Sequence, residues 1–413
     1  MSGQAIRFIH TSDFHLERPV GGIAEVPSHL REAFVEAPYL AAERVFDSAI
    51  KEKVDFVILA GDILDVELAG PRAVDFLVTQ FNRLKENKIR IYWAGGKVDD
   101  PELWPAEIRL PKNVHVFHTS SPQEIDFKRN GRTVVTLVGQ SHLDGRPTRP
   151  SDFRTVTSDA AKIAISYGPV HADELRTSRF DYWALGGRHD HKVVYEEVSA
   201  ACYSGNPQGL SLLETGLHGG LLVSVEHGRV RSRQLDHDVL RWHNERIELH
   251  ADATRSELEK IIQERLAKIV RTTTDQKTLV RWTVISNGQL GYDLRNTDLA
   301  RTMLSSIQAK QESGPTVESI QLDSEFNAAD SELSHEDTIL GDFLRTIQEL
   351  EDHPDRDLDL AKYLPSSTMK SQLASAVNVL SKSDRKRILK QAVALGYDLL
   401  RGAQDGAPET VRK

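Results

Sequence analysis

The sequence predicts an α/β fold: a two-sheet α/β sandwich, then a small α/β cap domain, then a C-terminal helical tail. Three observations lead there. Strand-like and helical runs alternate through the first half, polar residues of ligating type follow directly on apolar runs, and two amphipathic helices lie beyond a second α/β pattern. In order, IRFIH (6–10) reads as a strand, an amphipathic stretch spans Leu40 to Val54, DFVILAG (55–61) is a strand, Ala73 to Lys85 is a helix, and IRIYWAG (89–95) is a strand. TVVTLVGQ (133–140), KIAISYG (162–168), DYWALG (181–186), GLLVSVEHG (220–228) and VRSRQLDH (230–237) are strand-like with short turns, so the later part reads as a second, more meandering sheet packed on the first.

The expected division is a core at 1–238, a cap at 239–330 and a tail at 331–413. In the cap, Thr254 to Glu257 reads as a capping box opening a helix with Leu258, Ile262, Leu266 and Ile269 on one face. TLVRWTVIS alternates as a strand before Asn287–Gly288, and TVESIQLD (316–323) is a second strand. Acidic, polar sequence around 328–336 separates the cap from the tail. There Ile339, Leu340, Phe343, Leu344, Ile347 and Leu350 mark one helix, and Ile388, Leu389, Ala392, Leu395 and Leu399 another.

Chemistry concentrates where apolar strands stop. Asp13 and His15 sit two apart just after the first strand and offer a carboxylate and an imidazole to one cation. Gly61 and Asp62 end the second strand, and His189 follows DYWALG. Such donors on loops at strand ends suit a hydrolytic metal site. Alone, Asp13 and His15 also fit a turn with a satisfied polar pair.

The ordered set SDFH, AGD, GGKVDD, ISYG, ALGGRH and CYSGNP resembles the calcineurin-like metallophosphoesterases and, more narrowly, the SbcD-type DNA double-strand-break repair nucleases. The resemblance covers roughly residues 5 to 240 in motif order, and the cap and tail match that family's layout. It implies a binuclear centre bridged by the aspartate of a Gly-Asp pair. The first ion's ligands carry over as Asp13, His15, Asp62 and His189. The second ion's positions are changed: the Asn of G-N-H-D is Lys97, the general-acid histidine after it is Val98, the middle-strand histidine is Tyr167, and the first histidine of G-H-x-H is Gly187. One ion, Mn2+ or alternatively Fe or Zn, is therefore expected rather than two. A shifted registration, with His189, Asp190, His191 and Lys192 read as H-x-H-K, keeps more ligands and makes His191 a candidate catalytic group.

Lys97 is a second candidate, as an ammonium that neutralises Asp62 in place of a cation, or else a solvated loop lysine. Tyr167 is either a core tyrosine with a bonded hydroxyl or the filling of the second-ion cavity. His10 is expected to be structural, His171 a loop residue or else a group reaching the site from a different backbone position, and His237 and His243 surface groups. Arg179, Arg188 and Lys192 form a basic rim or are scattered surface cations. Gly95-Gly96-Lys97 lacks the spacing of a phosphate loop.

Net charge is −9, which argues against whole-surface attraction to nucleic acid but not against a local basic groove. Cys202 is the single cysteine and excludes an intramolecular disulfide. With no signal-peptide pattern and no apolar run near ~18 residues, a cytoplasmic protein is expected. Three functions compete. One is an SbcD-like exonuclease homologue with weakened or lost nuclease activity. Another is a non-catalytic, homodimeric, DNA-end-binding scaffold subunit whose tail, as the resemblance implies, binds an SMC-like ATPase. The last is a phosphoesterase acting on a small phosphoester or nucleotide.

Overall fold

The computed structural model describes residues 5–23, 26–104, 108–144, 148–154, 160–273, 276–310, 316–326, 335, 337–353 and 382–405. Strands β1 (Ile6–Thr11), β2 (Phe56–Leu59), β3 (Arg90–Trp93) and β4 (Val114–Val116) pair in parallel. The chain then builds a second sheet from β5 (Gln123–Arg129), β6 (Arg132–Gly139), β7 (Ala161–Tyr167), β8 (Tyr182–Gly186), β9 (Lys192–Glu196) and β10 (Ala200–Tyr203). It returns to the first with β11 (Leu221–Glu226) and β12 (Arg229–Gln234). The sheet orders are β12-β11-β1-β2-β3-β4 and β5-β6-β7-β8-β10-β9. In the second sheet β6, β7, β8 and β10 are parallel, while β5 and β9 close its edges antiparallel.

The period-two alternation of strands decides the layers. On β1, Phe8 joins Phe56, Tyr92, Leu137, Ile163, Tyr182 and Cys202 between the sheets. Its neighbour Ile9 points the other way, into a layer with Val45, Phe46, Leu77, Phe81 and Leu84 from helices α1 (Arg31–Lys51) and α2 (Pro71–Glu86). Trp183, Ala164 and Leu185 face outward from the second sheet, against Phe153, Leu175 and Phe180. The expected two-sheet α/β sandwich is therefore present.

Two local readings need correction. Helix α1 begins at Arg31 rather than near Leu40 and carries Pro38 in its interior. Proline removes a helical hydrogen bond, but Phe34, Ala37 and Ala41 are buried there and packing carries the helix through. His237 is buried at 1% exposure, not a surface group. Its charged neighbours satisfy each other: Arg241 pairs with Asp236 at 2.6 Å and Asp238 at 2.7 Å.

Beyond the core, β13 (Leu240–Glu248), β14 (Lys277–Ile285) and β15 (Val317–Glu325) form a three-stranded sheet. The chain forms two compact units, one of Met1–Asn244, Ile269–Val280 and Ser313–Glu318, the other of Glu245–Lys268, Arg281–Glu312 and Ser319–Lys413. The capping box is present, with Glu257 Oε2 accepting from Thr254 N at 2.7 Å as a helix opens at Arg255. In the second unit, helices Ile339–Asp352 and Lys382–Asp405 bury Leu344, Ile347, Leu389 and Val393 together. Arg295 clamps Asp398 at 2.8 Å there. The separator at 328–334 and the tail at 354–381 and 406–413 lie outside the described residues. Among the described residues, no helix is long and apolar enough to cross a membrane.

Candidate metal centre

Loops following β1, β2, β3 and β8 converge with the end of β7, as expected at the carboxyl ends of parallel strands. Beyond β1 and β2 the two chains stay in register: Asp13 N donates to Gly61 O at 2.8 Å and His15 N to Asp62 O at 3.1 Å. Asp13, His15 and Asp62 all take positive φ, at 55°, 48° and 53°. Left-handed backbone at non-glycine residues costs of order 1–3 kcal/mol each and persists where surroundings over-determine it. Here cross-chain hydrogen bonds hold it.

Asp13, His15 and His189 bring one ligand atom each to within 4.8 Å of one another. Each imidazole is oriented from behind by a carboxylate. His15 Nδ1 meets Glu17 Oε1 at 3.1 Å, and His189 Nδ1 meets Glu214 Oε1 at 2.9 Å. A carboxylate accepts at Nδ1, so each ring turns an Nε2 lone pair to the centre. Burial opposes the charge of Glu17, but bonds from His15 and Asp65 N hold it below its usual range. Burial opposes that of Glu214 too, yet His189, Leu210 N and Asn206 bring it to about 2. The bond to Glu214 in turn raises His189.

Asp13 is buried, and burial pushes its carboxyl up to about 6. Its Oδ2 accepts from Ser12 Oγ at 2.5 Å and Gly187 N at 3.1 Å. Its Oδ1 and His15 Nε2 are buried with no hydrogen-bond partner. Buried polar atoms are normally satisfied. Two orphans facing a shared centre, beside a half-exposed His189, are what a divalent cation would satisfy, and the donor set fits one.

Asp62 borders this group, with Oδ2 3.7 Å from His15 Nε2. Both its oxygens are also engaged from the far side. Val98 N donates to Oδ1 at 3.0 Å, and the Tyr167 hydroxyl donates to Oδ2 at 2.6 Å. The Tyr167 ring lies in a slot of glycines. A Cβ at Gly61 would come within 2.6 Å of the ring, one at Gly96 within 2.7 Å and one at Gly187 within 2.9 Å. Burial first, then the charge of Asp62, raises the phenol well above its usual range, so it is a neutral donor. Val98 and Gly187 bring no side-chain ligand to this side of Asp62, and the slot holds a ring.

Lys97 is exposed, and no ion pair joins it to Asp62. His191 lies outside the three-residue group, with Nδ1 on Tyr203 O at 2.9 Å. His10 Nδ1 meets the Tyr182 hydroxyl at 2.9 Å, a structural contact. Arg188 approaches Asp190 at 3.9 Å on the surface.

Sequence reasoning passed over several supporting residues. Glu17 stands two residues after His15, a signal within reach. Asp99 accepts from Asp62 N at 2.8 Å, Ile63 N at 3.2 Å, Gly96 N at 2.5 Å and Trp93 Nε1 at 2.7 Å, tying the β2 and β3 loops to one carboxylate. Asn206, inside the CYSGNP motif, donates to Glu214 Oε2 at 2.8 Å and meets His218 Nδ1 at 2.5 Å. Nothing in the sequence marks Glu214.

A two-sheet sandwich with Asp and His donors at strand ends is consistent with the metallophosphoesterase fold. The calcineurin-like phosphoesterase family model matches residues 6–250, and the chain belongs to that family. It is 30% identical over 282 residues to the uncharacterized metallophosphoesterase YhaO of Bacillus subtilis, covering 64% of this chain and 68% of that protein. It is 24% identical over 215 residues to the DNA double-strand break repair protein Mre11 of Saccharolobus solfataricus, covering 49% of this chain and 54% of that one.

Proposed function

We propose that this chain is a single-ion phosphodiesterase acting on DNA, with hydrolysis much slower than a two-ion centre gives. The carrying observation is the asymmetry around Asp62: bare Asp13 Oδ1 and His15 Nε2 on one side, the Tyr167 hydroxyl on the other. Asp13, His15 and His189, with Asp62 at their border, would hold one ion, and Mn2+ suits the mixed imidazole and carboxylate set. When bound there, it would supply Lewis acidity towards a phosphoryl oxygen and an attacking water.

The chain's own groups do the rest. Glu17 and Glu214 fix both rings, and Tyr167 holds Asp62 in one rotamer while contributing no net charge. Val98 has no proton for a leaving alkoxide, and general-acid help is worth about 10²- to 10⁴-fold. This deficit supports a second reading, a non-catalytic subunit that binds DNA ends and engages a partner ATPase through its C-terminal helices.

Metal content after Mn2+ loading, measured beside cleavage of linear DNA, tests both. One equivalent with slow cleavage that disappears in Asp13→Ala supports the enzyme. One equivalent with cleavage equal to Asp13→Ala supports the subunit. Two equivalents would overturn the single-ion centre.

A further inference from the structure

Beside the Tyr167 slot lies a cleft of about 420 Å³ lined by Ser121, Gln140, His142, Thr148, Arg149 and Arg154, with Asp152 as its carboxylate. A second, of about 760 Å³, shares Arg149 and Arg154 and continues to Thr177, Ser178 and Arg179, with Glu174 as its carboxylate. The two therefore adjoin along a ridge of arginine. The first abuts the centre's wall: Thr148 Oγ1 donates to Tyr167 O at 3.0 Å, and the His142 ring lies 5.2 Å from that of Tyr167.

Several arginines elsewhere in the core are matched to carboxylates, Arg7 to Glu52, Arg83 to Asp47, Arg129 to Asp55 and Arg241 to Asp238. Arg149, Arg154 and Arg179 have no ion pair among the described residues. On a chain of net charge −9, these three guanidinium groups lie along adjoining hydroxyl-lined clefts as a local positive track. Guanidinium forks and hydroxyls are the groups that hold phosphate oxygens.

We infer that Arg149, Arg154 and Arg179 form a track for the phosphates of a single-stranded phosphodiester chain, running from the Tyr167 side of the centre. The inference rests on the phosphodiesterase reading for its direction but is tested without hydrolysis. A single phosphate would engage one cleft only, whereas charge carried across both suits a chain.

The experiment measures anisotropy of a labelled oligothymidylate on the full chain in chelator, across a salt series, for wild type, Arg149→Ala/Arg154→Ala and Arg72→Ala. Arg72 pairs with Glu36 away from the clefts. The double variant is expected to bind about tenfold or more weakly, with a salt slope shallower by about 1.4, since each phosphate contact contributes about 0.7 on single strands. Arg72→Ala should match wild type. Absence of wild-type binding, an unchanged slope in the double variant, or equal competition by inorganic tripolyphosphate and oligothymidylate at matched phosphate would each overturn the track. Mn2+ content in the double variant should equal wild type. The track can thus fail while the single-ion centre stands, and the reverse.

Discussion

The Tyr167 hydroxyl donates to Asp62 Oδ2 at 2.6 Å across 105 residues of sequence, linking the end of β7 in one sheet to the loop after β2 in the other. Hydrogen bonds to charged groups contribute about 1.5–3 kcal/mol. Tyr167→Phe keeps the ring in its slot and removes only the donor. We expect a loss of that size in urea unfolding of the metal-free protein, with ion content still at one. A second equivalent of Mn2+ in Tyr167→Phe would show that the ring does not close the slot.

Gly187 sits at φ +89° with its missing Cβ 2.9 Å from Tyr167 Cζ. Gly187→Ala should therefore cost at least about 2 kcal/mol, combining left-handed strain with overpacking. Adding Tyr167→Ala relieves the clash but not the backbone strain. Alanine at 187 should then cost less in the Tyr167→Ala background than in wild type, and equal costs in a double-mutant cycle would refute the contact.

Glu17 and Glu214 each hold one ring without reaching the centre. Second-sphere partners of metal-bound histidines typically carry 10- to 100-fold in affinity. Glu214→Gln and Glu17→Gln should each weaken Mn2+ binding by about that much in calorimetric titration, with stoichiometry unchanged. A full-affinity Glu214→Gln would remove His189 from the ligand set.

His237 gives a pH signature away from the centre. Burial lowers its imidazole to about 4, with Asp236 opposing and Arg44 adding to the shift. Its Nδ1 accepts from Gly220 N at 3.0 Å, and Nε2 meets Ser48 Oγ at 2.9 Å. An unfolded histidine titrates near 6.5, so the unfolded chain takes up the proton first. The neutral ring's contribution is complete above about pH 6.5 and lost as pH falls towards 4, about 3 kcal/mol in all. Asp238 next to it titrates in the opposite sense, since burial raises it to about 7. The difference between wild type and His237→Asn cancels that term. It should shrink between pH 7.5 and 4.5, and a constant difference would contradict the buried neutral ring.

What could be read from sequence divides by range. Alternating strand-like and helical runs pointed to the first sheet, and the later strand-like segments with short turns to the second; that Phe8 and Ile9 face opposite layers follows from the period of the strand. D-x-H after a strand located Asp13 and His15 because the strand's end fixes where the next residues emerge. His237 was misjudged because Asp236, Asp238 and Arg241 look like a surface cluster, when in fact Arg241 pairs with both aspartates beside a buried ring. Lys97 could be read from sequence as a charge for Asp62 or as a solvated loop lysine; it is exposed, and a backbone N–H and a distant phenol donate to Asp62. No local pattern encodes Glu214, and the sequence left Tyr167 open between a core tyrosine and a cavity filling, since both depend on loops meeting across the chain.

The glycine slot also constrains how this centre could change over generations. A histidine appearing first at position 187 meets the Tyr167 ring, and one appearing first at 167 forfeits the hydroxyl on Asp62 while Gly187 still offers no ligand. Either of these two first steps is thus a loss by itself. The tyrosine and its glycines act as an epistatic ratchet, and a lineage that has passed through it would return only by changing several positions together.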